Sequence, residues 1–251
     1  MSNSLKIVSL NIEQDKHLDR VIPFLKKQNP DVILLQEVLE KDITLFENAL
    51  GMNSVFTGMR SVFTLLTVLI RNNEASRLGL LTLSNLPLLK NDNAYYRGNG
   101  ANIPNIQEGD LKKIIETMPR AIQVTEFVKE NKHYCLINTH FTWSPNGQPN
   151  PEQHLDLDIL LKLLSEIPQF ILCGDFNTPR GTVIFDTIAS KYKDNIPSEI
   201  STTIDQNLHK ARNLNLVVDG LFTTPQYQVN SIKIIDGLSD HCAIVAEISS
   251  Y

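Results

Sequence analysis

The sequence predicts an α/β fold in which mixed sheets carry helices on their outer faces. Three observations lead there. The chain has 251 residues, 42% hydrophobic and 20% charged, a globular composition with enough length for a substantial core. It opens on a β–α–β unit. After that, apolar strand-like runs are separated sometimes by helical spacing and sometimes by short turns, as parallel and antiparallel neighbours in one sheet require. A single domain spanning 1–251 is expected.

Taken in order, a strand over 5–10 leads to helical spacing over 18–28, and Asn29-Pro30-Asp31 introduces a second strand over 32–36. A helix over 42–50 ends at Gly51, which fits the left-handed residue that closes many helices. Further strands are predicted over 68–71, 79–84, 121–128, 134–139, 170–173, 217–222 and 243–248. A helix over 152–166 is signalled by the recurrence of Leu157, Leu160, Leu161 and Leu164. Two stretches read as excursions from the core. One is 91–119, rich in Asn and Gly, with Tyr95-Tyr96-Arg97 near its start and a short helix over 111–116. The other is 142–151, a Pro/Asn/Gly loop holding Trp143, the only tryptophan. Long loops of a structured domain are favoured places for substrate contact, with Tyr95, Tyr96 and Trp143 as stacking surfaces and loop packing as the plainer role.

Composition narrows the function. A net charge of −5 gives no global basic field, which argues against a non-specific coater of polyanions. Phosphate chemistry is still open to such a chain, because a bound divalent cation supplies positive charge locally. The three cysteines, Cys135, Cys173 and Cys242, are far apart and lack CxxC spacing, so buried reduced thiols are expected. No charged and apolar leader pattern opens the chain, and the longest apolar run, 62–70, is broken by Thr64 and Thr67 and is too short to span a bilayer. These features predict a soluble, cytoplasmic protein without membrane insertion, and a monomer is expected.

The informative pattern is the recurrence of polar residues at strand ends. Asn11 follows Ile7-Val8-Ser9-Leu10, Glu37 follows Val32-Ile33-Leu34-Leu35-Gln36, and His140 follows Leu136-Ile137-Asn138-Thr139. Asp175 and Asn177 follow Phe170-Ile171-Leu172-Cys173-Gly174, Asp219 follows Leu216-Val217-Val218, and Asp240-His241 precede the last strand. Strand ends are where α/β sheets form ligand crevices. Singly, each residue has a plain structural explanation as a cap, a turn residue or a satisfied histidine. Gathered, the carboxylates and histidines would repel and desolvate one another unless a cation held them. Mg²⁺ suits such a set, since it takes oxygen ligands and leaves positions open for a phosphate oxygen. Cys/His zinc spacing is absent.

In this order the segments Ser9-Leu10-Asn11-Ile12, Leu35-Gln36-Glu37-Val38, Asn138-Thr139-His140-Phe141, Gly174-Asp175-Phe176-Asn177, Val218-Asp219-Gly220-Leu221-Phe222 and Ser239-Asp240-His241 span nearly the whole chain. The chain thereby resembles the endonuclease/exonuclease/phosphatase superfamily, which includes deoxyribonuclease I, abasic-site endonucleases, tyrosyl-DNA phosphodiesterases, deadenylases, sphingomyelinases and inositol polyphosphate 5-phosphatases. The resemblance implies a four-layer α/β sandwich, with two mixed sheets face to face, helices outside and the site at one edge. It implies Glu37 as principal metal ligand, with Asn11 and Asp240 near the ion, and Mg²⁺ as cofactor with Mn²⁺ as substitute. Asp175 and Asn177 would position and activate water, Asp219 would orient His241, and His241 with His140 would hold the phosphate. Either Asp175 or His241 would take the proton. Arg120 matches a position that often carries a phosphate-contacting arginine, with a solvated strand-start charge as the alternative, and Trp143 is the second expected substrate contact.

Val38 follows Glu37 without the later lysine of abasic-site endonucleases, and Cys173 precedes Gly174 where 5-phosphatases carry tryptophan. Asn85 stands where relatives commonly place a basic residue. The style is closest to the tyrosyl-DNA phosphodiesterase and deadenylase side. The leading expectation is a Mg²⁺-dependent hydrolase of nucleic-acid phosphodiesters. A phosphatase or phosphodiesterase for a small metabolite or lipid headgroup is the alternative, and an inactive binding module of the same fold is the third reading.

Overall fold

The computed structural model describes residues 4–62, 76–106 and 110–251. Strand β1 (Leu5–Asn11) lies in the middle of the first sheet, parallel to β2 (Val32–Leu39) and antiparallel to β12 (Ala243–Ser250). The sheet continues through β4 (Ser76–Ser84) to β3 (Asn53–Val62) on one side, and ends on β11 (Tyr227–Ile235) on the other. The second sheet repeats the plan. Its parallel centre is β7 (Lys132–His140) with β8 (Ile171–Asp175), flanked by β6 (Arg120–Lys129) and β5 (Leu88–Arg97), and by β10 (Asp219–Thr223) and β9 (Lys193–Asp194).

Period-two alternation assigns the faces. Leu5, Ile7, Val32 and Leu34 pack between the sheets against Leu136, Ile171, Cys173 and Leu221. Val8, Leu10, Ile33 and Leu35 face outward onto helix α1 (Leu18–Gln28) and helix α2 (Ile43–Leu50). The second sheet's outer face is covered by α4 (Pro151–Ser165) and α5 (Val183–Ala189), whose Leu157, Leu160, Ile184 and Ile188 meet Ile137 and Leu172. Burial on both faces is why these strands read as continuous apolar runs. The result is the expected four-layer sandwich. Gly51 closes α2 at φ 67, with its N–H donating to Glu47 O at 2.8 Å.

The inter-sheet layer also holds a polar seam. Gln36 Nε2 donates to Asn138 Oδ1 at 2.7 Å, and Asn138 Nδ2 donates to the Leu35 carbonyl at 3.0 Å. Beside it, Thr82 Oγ1 donates to Gln123 Oε1 at 2.6 Å, and Gln123 Nε2 donates to Thr57 Oγ1 at 2.9 Å. Such buried groups are tolerated because they satisfy one another, and directional bonds fix how one sheet sits on the other.

Several sequence expectations need correction. The strand expected over 68–71 lies outside the described residues. Val217 and Val218 are not in β10: their carbonyls accept from Arg180 N and Phe176 N, and Asp219 opens the strand rather than closing one. The excursion over 91–119 begins inside β5, so its first part belongs to a sheet, while α3 (Leu111–Thr117) matches the expected short helix. Tyr96 is buried with its hydroxyl on Thr139 Oγ1, and Tyr95 donates to the Gly58 carbonyl. Tyr96 therefore belongs to the core and is not a stacking surface, while Tyr95 is half-buried. Strands β3, β5, β9 and β11 and helix α5 were not anticipated. β5 and β11 are edge strands with largely exposed side chains, so the apolar alternation that marks a strand is weak in them. All three cysteines are free and buried. No helix among the described residues is long and apolar enough to cross a membrane.

Candidate active site

The topology brings the strand-end residues to one rim. β1, β2, β7 and β8 finish there, carrying Asn11, Glu37, His140 and Asp175, and the antiparallel β6 and β10 begin there with Arg120 and Asp219. Two local distortions aim the groups. In β8, a Cβ at Gly174 would lie 1.9 Å from the Thr139 carbonyl oxygen, so only glycine lets the strand pass and set Asp175 beside His140. In β2, one extra residue between Leu35 and Val38 breaks the register with β4, and Glu37 takes a left-handed φ of 59. A bulge of this kind re-aims one side chain, here at the cost of backbone strain.

Asp175 is 1% exposed. Its Oδ2 accepts from Asn11 Nδ2 at 3.0 Å and its Oδ1 from Asn177 N–H at 2.8 Å. Nε2 of His140 and of His241 stand 3.5 and 3.7 Å from Oδ2. The other nitrogen of His241, Nδ1, meets Asp219 Oδ2 at 2.9 Å. Glu37 Oε1 lies 3.4 Å from Asn11 Nδ2 and 3.9 Å from His140 Nε2. The Asn177 side chain is turned to the loop, donating to the Phe141 carbonyl at 3.1 Å.

These environments push neighbouring pKa values apart. Burial raises the Asp175 carboxyl to about 7, with His241 pulling against that rise and Asp219 adding to it. Burial, helped by the charge of Asp240, also raises Glu37, while Arg60 and His241 oppose the shift. His140 is held well below the ordinary imidazole value by burial and by the charges of Arg120, His241 and Arg60. For His241, burial disfavours the charged ring but the carboxylates of Asp219 and Asp175 outweigh it, so its pKa stands well above the ordinary value. One histidine is therefore neutral and the other protonated near neutral pH.

Glu37 and His140 open onto a cleft of about 450 Å³ whose polar lining also includes Arg60, Arg120, Asn177 and Asp240, with Asp175 and His241 set behind that lining. Its apolar wall comes from Leu111, Ile114 and Met118, in and just after α3, and from Trp143. Arg120 is 1% exposed, so it is not a solvated strand-start charge, and it donates to the His140 carbonyl at 3.1 Å. Arg60 was not singled out from sequence. A larger surface depression of about 680 Å³ beside β9 and β11 holds none of the strand-end residues, and its Arg180 is already paired with Asp194.

Among the described residues of this rim, two places could attract a cation. Oxygens of Asp175 and Asp219 and a ring nitrogen of His241 lie within 4.8 Å of one another. Asp219 is already engaged by the His241 ring, however, and a protonated imidazole has no lone pair to offer. Glu37 and Asp240 fit better: they face the same cleft, repel one another, and present hard carboxylate oxygens suited to a divalent ion. Asn11 stands beside Glu37 with its amide.

A family model described as endonuclease/exonuclease/phosphatase family matches residues 8–241. Among solved structures, an endonuclease/exonuclease/phosphatase from Bacteroides vulgatus is similar at a TM-score of 0.74 and 18% identity, with 99% of each chain covered. A mannosyl-6-phosphatase from Bacteroides thetaiotaomicron gives 0.70 and 13%, covering 98% of this chain and 99% of that one. The human Nocturnin catalytic domain with a bound sulfate anion gives 0.69 and 16%, covering 100% and 96%. At such identities the likeness is one of fold. No curated protein matches the sequence significantly.

Proposed function

The chain belongs to the endonuclease/exonuclease/phosphatase family, and from that membership we propose that it is a Mg²⁺-dependent phosphoesterase cleaving phosphodiesters of nucleic acid by in-line attack of water. Members of the family hydrolyse phosphate esters and generally depend on a divalent metal. The observation that carries the reading is convergence: Asn11, Glu37, His140, Asp175 and Asp240, from both sheets, act on one another at one rim.

Glu37 and Asp240 would hold the ion, with Asn11 alongside. When bound, Mg²⁺, or Mn²⁺ in its place, offsets the two carboxylates and polarises the phosphoryl group. Asp175 is the better candidate for the proton acceptor, because its pKa of about 7 suits a base at neutral pH whereas His241 is already charged. Asn11 and the Asn177 backbone fix the Asp175 carboxylate. Asp219 fixes His241, whose protonated ring would stabilise charge on the phosphoryl oxygens, and neutral His140 and Arg120 would bind those oxygens. Trp143 would border the leaving group. We take the enzyme to be a single-domain cytoplasmic monomer, in keeping with its unpaired cysteines.

A second reading, hydrolysis of a small phosphate ester, is favoured by the net charge of −5 and by a cleft of about 450 Å³, a size typical of small-ligand sites. Its likeness to a mannosyl-6-phosphatase points the same way. A panel of single- and double-stranded DNA, RNA, phosphotyrosyl ends, sugar phosphates and phosphoinositides, with Mg²⁺, Mn²⁺ and EDTA, decides between them. Glu37→Gln should abolish hydrolysis of whichever substrate responds; undiminished turnover would end the metal-ligand assignment, and no turnover by the wild type on any substrate would favour a binding module. A steep fall of affinity with salt marks nucleic acid, because many phosphate contacts release many counterions.

A further inference from the structure

We propose that Arg60 is a substrate-binding residue of this cleft, its guanidinium taking a non-bridging oxygen of a phosphate group beside Arg120 and His140. The inference rests on the phosphoesterase reading and adds a binding residue to it.

Arg60 is 6% exposed, lines the cleft, and its Nε has no hydrogen-bond partner among the described residues. A buried donor left unmade is costly and rare in folded proteins, so a guanidinium held this way calls for an acceptor that arrives from outside. It does not lie there by accident of register. β3 carries an extra residue between Gly58 and Arg60, opposite Gly79 and Leu78 of β4. The inserted Met59 drops into an apolar cluster with Leu80, Ile106 and Met118, and Arg60 is left paired with Leu78, both facing the cleft. The bulge that re-aims Glu37 opens on the opposite side of the same strand, between Leu35 and Val38, with Val38 across from Gly79. A Cβ at Gly79 would fall 2.1 Å from the Thr57 carbonyl oxygen. Two bulged strands thus flank one glycine, and each delivers a charged side chain to the same rim: an acid for the cation and a base for the anion.

Arg60 and Glu37 sense each other electrostatically, and so do Arg60 and His140. A purely structural counter-charge would sit in an ion pair with Glu37 and would use its own N–H groups to do so. The planar fork of arginine, with an unused Nε–H, instead matches the oxygens of a phosphate.

The test uses inorganic phosphate as the probe, titrated calorimetrically into the full chain in Mg²⁺ buffer, for the wild type, Arg60→Gln and Arg60→Met. Phosphate affinity should fall at least about ten-fold in both variants, as expected for loss of a charge-assisted hydrogen bond. With p-nitrophenyl phosphate esters, the loss should appear more in KM than in kcat, with the melting temperature unchanged. Unaltered phosphate affinity in a folded variant overturns the proposal, as does a lowered melting temperature with normal phosphate binding. Should neither variant fold, the Arg60 Nε–H resonance of the wild type should move when phosphate is added, and a stationary signal overturns it equally. Phosphate binding is read without turnover. If the wild type hydrolyses nothing yet Arg60→Gln loses phosphate, the phosphoesterase reading fails and this one stands; if turnover is present and the variant binds phosphate normally, the reverse holds.

Discussion

Asp219 Oδ2 holds His241 Nδ1 at 2.9 Å, and this single contact leaves Nε2 of the ring 3.7 Å from Asp175. Because the contact favours the charged ring, replacing Asp219 by Asn should lower the His241 titration midpoint, visible by NMR of the imidazole nitrogens, and reduce turnover on the order of a thousand-fold. A sign follows for stability. The pKa of His241 is raised on folding, so the ring stabilises the fold below its unfolded pKa, and that contribution disappears as pH rises through the folded value. Urea midpoints across that window should therefore fall less in Asp219→Asn than in the wild type. An unchanged His241 midpoint would refute the assignment.

Asn11 serves two carboxylates, donating to Asp175 at 3.0 Å and approaching Glu37 at 3.4 Å. Its removal leaves Asp175 without one of the bonds that favour its charged form. Asn11→Ala should lose on the order of a hundred-fold in kcat, and the acid limb of its pH–rate profile should move to higher pH. A profile identical to that of the wild type would place the proton acceptor elsewhere.

Glu37 combines a left-handed φ of 59 with a half-buried carboxyl repelled by Asp240. Asparagine tolerates that backbone and carries no charge, so Glu37→Asn should stabilise the metal-free protein by about 1 kcal/mol while abolishing activity. Thermal unfolding in EDTA measures it. A loss of stability would show that the bulge is unstrained.

Arg97 is a staple outside the reacting groups. Its Nε donates to Asp156 at 2.9 Å, and its Nη groups reach the carbonyls of Ile115 in α3 and Glu152 in α4. Asp156 also accepts from Thr142 Oγ1, next to Trp143. The pair is largely buried, so Arg97→Met should cost about 3 kcal/mol by leaving the Asp156 charge uncompensated. Since α3 walls the cleft, KM should rise with it, and amide exchange in 111–117 should quicken. Unchanged exchange there would detach the staple from the wall.

The strand-end residues were legible because each interrupts an apolar run, and a polar side chain at the end of a doubly buried strand has few places to go but a shared rim. Asn11, Glu37, His140 and Asp175 were found that way. Asp219 was found from the wrong side: Val217 and Val218 look like the body of a strand, yet their carbonyls serve the loop that follows Asp175. Arg60 stayed hidden because β3, the strand that carries it, was itself not anticipated, and a lone charge outside a recognised strand reads as solvated. Only the inserted Met59 reverses its direction, and the one trace of that in the sequence is Gly58, where a bulge is tolerated. Tyr96 misled in the opposite sense, since aromatic residues in an Asn-rich stretch suggest an exposed loop, whereas β5 folds this one onto Phe141.

The hydrogen bonds between Gln36 and Asn138 and among Thr82, Gln123 and Thr57 have a meaning beyond folding. One slab of the molecule supplies Asn11 and Glu37 and the other supplies His140 and Asp175, so the reaction geometry is only as exact as the alignment of the slabs. Oily side chains at those positions would hold the halves together just as firmly while letting them skid by a fraction of an ångström. Folding would ignore that slip, but catalysis would not, and damage far from the rim would then register as an enzyme that is intact and slow.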